Sequence, residues 1–310
     1  MVHGLAAVTV AGALLGLGTV GCGSSSASAD AGLDAGTAMH GDASDAGTAQ
    51  DAPDDTMAPC VSSDAGVCVN DVRGRVVDDQ GHALPGLLTT VCGAVCFYGH
   101  TDDAGAFDVQ PDLAINPADF AVIVHARPAH AGVYFPLPSP QTGVVDLAAP
   151  LVAPLYSVDG PPLPSGTTGG TVTAGDITVT VPPGTTLMPS VEDVELGDLG
   201  THLRVASVPV SKAPPFAAAA GNVVAVWALA PFELDAEPGI SMSALNHVGM
   251  AAGTAVDFVV MGFDVVDLPF VGGKPVVEAT GHVSADGSAF TTDPGQRIRT
   301  LTWLAIRPHQ

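Results

Sequence analysis

Two kinds of residue in this chain could do chemistry: its thiols, and a histidine set close to a serine. There are five cysteines, Cys22, Cys60, Cys68, Cys92 and Cys96. His282-Val283-Ser284 places an imidazole two residues before a hydroxyl, a base and a nucleophile that could attack the preceding carbonyl. His82 lies near Asp78 and Asp79, and His100 near Asp102 and Asp103. If those two turns met, they would supply a mixed nitrogen and oxygen set for a metal. Against this stands what is missing. There is no G-x-S-x-G elbow, no H-E-x-x-H, and no Walker or dinucleotide glycine motif. His125 and His130 flank Arg127-Pro128, which favours a loop over a ligand pair. The expectation is therefore no catalytic residue, no cofactor and no metal: two exposed acidic turns, and a serine beside an Asp286-Gly287 hairpin turn.

The cysteines divide by position. Cys60, Cys68, Cys92 and Cys96 form an even set, which in an exported chain reads as two disulfides. The pairing stays open at this level, with the local pairs Cys60–Cys68 and Cys92–Cys96 as the expectation. A zinc site would want tighter C-x2-C spacing than C-x7-C and C-x3-C. A redox C-x-x-C is also absent.

Cys22 stands apart because of what surrounds it. Residues 5 to 20 are uncharged and apolar, short of the roughly 20 residues of a membrane span but ample for the core of a signal peptide. The run ends Thr19-Val20-Gly21-Cys22, which resembles a bacterial lipobox. Two departures stand out: Thr19 occupies the usual Leu position, and the start, "MVHG", offers only His3 where Lys or Arg is usual. The resemblance implies that residues 1–21 are a lipoprotein signal peptide and that Cys22 receives lipid. Gly23 rather than Asp after the cysteine implies, by likeness to enteric lipoproteins, sorting to the outer membrane.

Residues 22–58 read as a tether. Beyond Cys22 they are mostly Ala, Gly, Ser and Asp, with "DAG" recurring at Asp30, Asp34 and Asp45, and they contain no Lys, Arg or aromatic residue. Such a segment buries too little apolar surface to offset its chain entropy, so disorder is expected. Its carboxylates repel and extend it. No calcium loop is present, since alternating oxygen ligands, a turn glycine and a distal Glu never coincide. The whole chain of 310 residues has a formal charge of −23, and its first lysine is Lys212. That balance excludes nucleic acid as a partner, because phosphate binding needs basic patches.

Beyond the tether, abundant Val, Thr, Gly and Pro favour strands and turns. "VNDVRGRVVDDQGHALPGLLTTVCG" opens a strand at Val72, and "FYGHTDDAGAFDV" places a tight turn at Asp102–Gly105. Phe120–Val124 is nearly all apolar, as in a strand buried on both faces. The parts Gly74–Val76, "DDQGHALPG" and "TDDAGAF" resemble the carboxypeptidase regulatory-like domain, a small prealbumin-like or Ig-like sandwich, with Ala83 in place of the usual Pro. The resemblance implies a β-sandwich over residues 59–150, with Phe107 as core anchor and no peptidase activity.

Residues 165–187 hold the next signal. Ile177, Val179 and Val181 alternate with Thr178 and Thr180, a half-buried strand closed by Pro182-Pro183-Gly184. This stretch resembles the opening of a ZU5-type sandwich, with Val181 in the Ile position, and the likeness runs loosely to about residue 265. It implies a second sandwich over 151–310 and a role in protein–protein interaction. Some ZU5-containing domains cut themselves at His-x-Ser, although Val283 departs from the usual middle residue. In the last strand Ile298, Thr300, Thr302, Leu304 and Ile306 are expected on one face, with Leu301 and Trp303 on the other.

Taken together, these features predict an all-β chain: two sandwich domains after a signal peptide and tether, lipid-anchored in the cell envelope at the outer membrane. The expected role is a non-catalytic structural or interaction module with a protein or glycan partner. The alternatives are a glycan-binding, adhesin-type lipoprotein and a self-cleaving domain. At 5% aromatic residues, with Trp227 and Trp303 inside apolar strands, a flat ring platform for sugars is poorly supplied. Phe97, Tyr98, Tyr134 and Phe135 are the ring candidates. Protein extracted from its host's membranes is expected to begin at Cys22 and to carry diacylglycerol and acyl mass. An unmodified, soluble N-terminus in intact-mass measurement would remove the anchor.

Overall fold

The computed structural model describes residues 60–62, 66–126, 128–139, 143–263 and 271–310. The signal segment, Cys22 and the tether lie outside the described residues. Among the described residues the structure is all-β, with two short α-helices. In chain order the first strands are β1 (Val67–Val69), β2 (Asp71–Val77), β3 (Leu88–Cys92), β4 (Cys96–His100), β5 (Ala106–Val109), β6 (Leu113–Ile115), β7 (Ala121–His125), β8 (Val133–Pro136), β9 (Val144–Asp146) and β10 (Leu151–Val152). Then follow β11 (Val158–Pro162), β12 (Gly170–Ala174), β13 (Ile177–Val181), β14 (Thr186–Met188), α1 (Val191–Glu195), β15 (His202–Val208), α2 (Pro215–Ala220), β16 (Ala225–Ala230), β17 (Leu234–Leu245) and β18 (Ala255–Met261). The chain ends with β19 (Pro275–Val283), β20 (Ala289–Thr292), β21 (Ile298–Leu301) and β22 (Trp303–Pro308).

The early strands make three small sheets. One pairs β1 with β6, one has the order β10-β2-β5 with β9 beside β2, and the third runs β4-β3-β7-β8. The turn at Asp102 forms as its residues require. Asp102 Oδ1 accepts from the Ala104 and Ala106 amides, and Gly105 takes φ +75°, the left-handed region that favours glycine. Phe107 is buried, and both faces of β3 and β7 are covered. Two disulfides close short loops in this half, Cys60–Cys68 and Cys92–Cys96, with Cα separations of 5.6 and 4.1 Å.

The later strands form one large sheet in the order β11-β15-β16-β22-β18-β19-β20-β17-β13-β12, with β14 and β21 also paired to β17. It curls until its two ends touch. A Cβ added to Gly160 on β11 would lie 2.5 Å from the Ala174 Cβ at the end of β12, so the residue there must be glycine. The inside of this nearly closed sheet is an apolar core that includes Ile177, Val179, Trp227, Phe258, Phe290 and Leu304.

Residues 57–310 cluster as one compact unit and do not part at residue 150. The cause is a second core. Val72, Val91, Phe107, Val122 and Tyr134 of the early strands belong to the same buried cluster as Ala206, Ala228, Met261, Trp303 and Ala305, which lie outside the curled sheet. Strands β15, β16, β22 and β18 are thus buried on both faces, and they read as nearly continuous apolar runs for that reason.

Trp303 joins the two halves. It is fully buried, its indole N–H donates to the Gly132 carbonyl at 2.8 Å, and Phe216 of α2 meets its ring edge-on. Tyr134 donates to Glu233 at 2.9 Å across the same seam. Arg204, also buried, lies 4.9 Å from the Tyr156 ring centroid, donates to the Pro128 carbonyl, and sits 3.8 Å from Asp193.

The last strand differs from expectation. It breaks at Thr302, whose hydroxyl donates to the Met261 carbonyl at 2.7 Å. The break resets the alternation: Leu301 joins Leu304 in the inner core, while Trp303 faces the early sheets. The cause is pairing, since β21 bonds to β17 but β22 bonds to β16 and β18.

Because one core spans both halves, chemical denaturation should give a single cooperative transition. Trp303→Ala should cost about 3–5 kcal/mol. Trp303→Phe should cost at least the roughly 1–3 kcal/mol of leaving a buried carbonyl unpaired. Urea midpoints measure both. Two separate transitions in the unaltered protein would show that the halves fold independently.

Candidate functional site

The side of the curled sheet away from the early strands shows clean alternation. β13 reads buried at Ile177, Val179 and Val181, with Thr178 and Thr180 between them. β17 buries Met242 and Ala244 and turns Ser241 and Ser243 outward. β20 buries Phe290 and Thr292 and leaves Thr291 half-exposed. A pleated strand sends alternate side chains to opposite faces, and the adjacent outward positions Thr178, Thr180, Ser241, Ser243 and Thr291 all carry hydroxyls.

Register assembles these hydroxyls into rows. Thr171 lies opposite Thr180, and Thr180 opposite Ser241. In the second row Thr173 lies opposite Thr178, Thr178 opposite Ser243, Ser243 opposite Thr291, and Thr291 opposite His282. Adjacent strands are about 4.8 Å apart, and outward positions along one strand about 6.7 Å apart. Thr171 and Thr180 share a hydrogen bond of 2.9 Å, and Thr173 and Thr178 one of 2.8 Å. Among the described residues the hydroxyls of Ser241, Ser243 and Thr291 have no protein partner, although each can donate once and accept twice.

A groove of about 390 Å³ runs over this face, lined by Thr178, Thr180, Ser241, Ser243, Thr291 and Arg297, among others. The turn Asp293-Pro294-Gly295-Gln296 forms one wall. The Gln296 amide donates to the Asp293 carbonyl at 2.9 Å, Gly295 takes φ +85°, and proline precedes it, which is the chemistry of a type II turn. The turn sets Asp293 and Arg297 at its two ends. Asp293 Oδ1 lies 2.6 Å from His282 Nδ1, and Oδ2 accepts from the Thr280 hydroxyl at 3.3 Å. The carboxylate thus orients the ring and leaves His282 Nε2 open.

The other residues singled out from sequence are dispersed. Ser284 donates to Asp286 at 2.6 Å, and its oxygen accepts from the Ala289 amide, inside the β19–β20 turn. His282 is held by Asp293, so the His282–Ser284 pair makes no base–nucleophile bond, and Val283 is a buried strand residue. The acidic turns do meet at one end of the early sheets, where Val76 bonds to Gly105 and Val77 bridges to Ala83. Their carboxylates are committed to their own loops, however: Asp78 to Gln80 and His82, Asp102 to Ala104 and Ala106. Among the described residues no group of three or more His, Cys, Asp or Glu is arranged for a metal. Trp227 and Trp303 are buried, as is Tyr134, while Phe97 and Phe135 are half-buried. Tyr98 is the one exposed ring of those six, and it stands alone on β4.

Ser241, Ser243, Thr291 and Arg297 were not legible as site residues in the sequence. The available signal was the repeated spacing of T-x-T at 171–173 and 178–180 and S-x-S at 241–243. The run of small hydroxyl side chains at adjacent outward positions is what sets this part of the sheet apart from an ordinary solvated face.

No protein-family model matches the chain, and no curated protein matches it. One solved structure that does match is a "putative carbohydrate binding protein" from Bacteroides uniformis, 8% identical, with a TM-score of 0.22 over 77% of this chain and 78% of that one. A likeness that slight carries no argument about what this chain binds.

The Asp286 carboxylate is held at about 2, below its usual range, by hydrogen bonds from Ser284 and Ser288. A lowered carboxylate pKa supports the fold above the unfolded value, near 3.9, and that support is lost as pH falls toward 2. The protection factor of the Ser288 amide, which donates to Asp286, should therefore hold down to about pH 4 and decline below it. In Asp286→Asn it should be lower at neutral pH. The chain should also run uncut on a denaturing gel, and a fragment ending at Val283 would show that self-cleavage occurs.

Proposed function

We propose that this chain is a non-catalytic binding protein of the cell envelope, lipid-anchored through Cys22, whose hydroxyl-lined groove takes a polyhydroxylated ligand, a glycan. The supporting observation is the pair of hydroxyl rows crossing β12, β13, β17 and β20, with Ser241, Ser243 and Thr291 unpartnered among the described residues.

Three physical points favour a sugar chain over a peptide. Hydroxyls that both donate and accept suit ligands that do the same, whereas a peptide docking by strand addition needs an open sheet edge, and these rows lie on a sheet face. The strand spacing of about 4.8 Å is close to the length of one pyranose unit, so a glycan lying across the strands would meet a hydroxyl at each step. The outward positions under the groove, Thr178, Thr180, Ser241, Ser243 and Thr291, present no large apolar side chain that would anchor a protein hot spot. Binding without ring stacking would rest on hydrogen bonds exchanged with water, each of modest net worth, so affinity should be low for one chain and raised by multivalent display on a membrane.

The mature protein should bind members of a glycan panel in calorimetry. Ser243→Ala with Thr291→Val, which remove two unpartnered hydroxyls, should weaken binding about tenfold or more, near 1.4 kcal/mol. The melting temperature should stay within a degree or two, because neither hydroxyl supports the fold. Unchanged affinity in that variant, or no glycan bound at all, would refute the proposal.

A further inference from the structure

We infer that the glycan bound in this groove is an acidic one, and that Arg297 reads its anionic substituent. The inference rests on the glycan-binding reading above and adds the charge of the ligand.

The chain carries 32 Asp and Glu against 9 Lys and Arg, so a carboxylate is within easy reach of almost any cation. The described arginines bear this out. Arg73 pairs with Asp71 at 2.9 Å, Arg299 with Glu237 at 2.7 Å and Arg307 with Asp257 at 2.9 Å, while buried Arg204 lies 3.8 Å from Asp193. Two lack such a partner. Arg75 donates to the Ala104 carbonyl from an exposed position on β2 and lines none of the described cavities. Arg297 is the other, and it lines the groove beside the hydroxyl rows. Its Nη1 donates to the Gln296 carbonyl at 2.8 Å, and the rest of the guanidinium has no protein hydrogen bond among the described residues.

The nearby carboxylate does not fill that role. Asp293 sits across the same turn but is committed to His282 at 2.6 Å and to Thr280 at 3.3 Å, and it forms no ion pair with Arg297. The turn therefore separates the two groups: the acid is hydrogen-bonded to His282 and Thr280, and the base is left for a ligand. A planar guanidinium with adjacent open N–H groups matches a carboxylate in bidentate fashion, and a sulfate nearly as well. Hydroxyls within the same groove would hold the sugar that bears the group. The overall negative charge of the chain opposes an anionic ligand at long range, so the contact must be short and direct, and screening by salt should act on the ligand's approach more than on the bound state.

The test uses the full mature protein and a panel of uronate-containing oligosaccharides, each paired with its methyl-esterified counterpart, with sulfated and unsulfated galactan as a second pair. The acid or sulfated member of at least one pair should bind about tenfold more tightly or better. Arg297→Gln should abolish that preference by weakening binding of the charged member about tenfold more than binding of the neutral one, and Arg297→Lys should restore only part of it. A preference seen with the uronates alone identifies a carboxylate, and one seen with the galactans alone a sulfate. Equal binding of charged and neutral members, or a preference that survives in Arg297→Gln, would overturn the inference and leave the glycan reading standing. No binding to any member would overturn both. The melting temperature of each variant guards against misfolding, since Arg297 lies at the surface of a turn and supports no buried contact.

Discussion

Burial of the outer face of β15, β16, β22 and β18 is the constraint on which the rest of this structure depends. Those four strands already close one core on their inner side, and without a cover their outer side would expose Ala206, Val226, Ala228, Met261, Trp303 and Ala305 together. An apolar patch of that kind is not left to water in a stable monomer. The early sheets supply the cover, and the Trp303 N–H bonded to Gly132 fixes where they sit. The indole cannot be buried without a partner, and a backbone carbonyl 171 positions away in the chain provides it.

That arrangement divides the curled sheet into two regions with different duties. Where the early strands cover it, both faces are apolar, the strands have no alternation to read, and charge enters only in a seam of paired groups such as Arg204 with Asp193 and Tyr134 with Glu233. Where they do not, the sheet must meet water on its outer side, and the outward positions under the groove are Thr and Ser. The candidate groove is therefore a consequence of the cover's limits, and a rigid double-layered support lies behind it. A binding face built on paired strands holds its groups more firmly than one built on loops, which suits a site whose individual contacts are weak.

Much of the local structure was legible in the residues. The Asp102–Gly105 turn, the alternation at Ile177–Val181 and the burial of Phe107, Trp227 and Trp303 follow from turn chemistry and side-chain period. The two places where reading along the chain departed from the structure share one cause. The break at Thr302, and the core that runs across residue 150, both arise because a strand's partners lie far away in sequence. Leu301 and Trp303 differ by two positions, and only the change of partner from β17 to β16 and β18 sends them to opposite sides. The hydroxyl rows escaped notice for the same reason: Thr173, Thr178, Ser243 and Thr291 come from four strands that nothing in the linear order brings together.

By itself the sequence determined the all-β class, the alternation of strands such as Ile177–Val181, the turns that glycine, proline and aspartate demand, and the absence of any familiar catalytic motif. Those are properties of neighbouring residues, set by φ, by the two-residue period of a pleat and by short-range hydrogen bonds. Only the tertiary structure decided which apolar face is covered by which sheet, that the hydroxyls stand in register, and that Arg297 remains without a carboxylate while Asp293 is taken by His282. These depend on strand pairing over separations of tens to hundreds of residues, where local propensity is silent and the outcome is chosen by the burial of the whole chain at once.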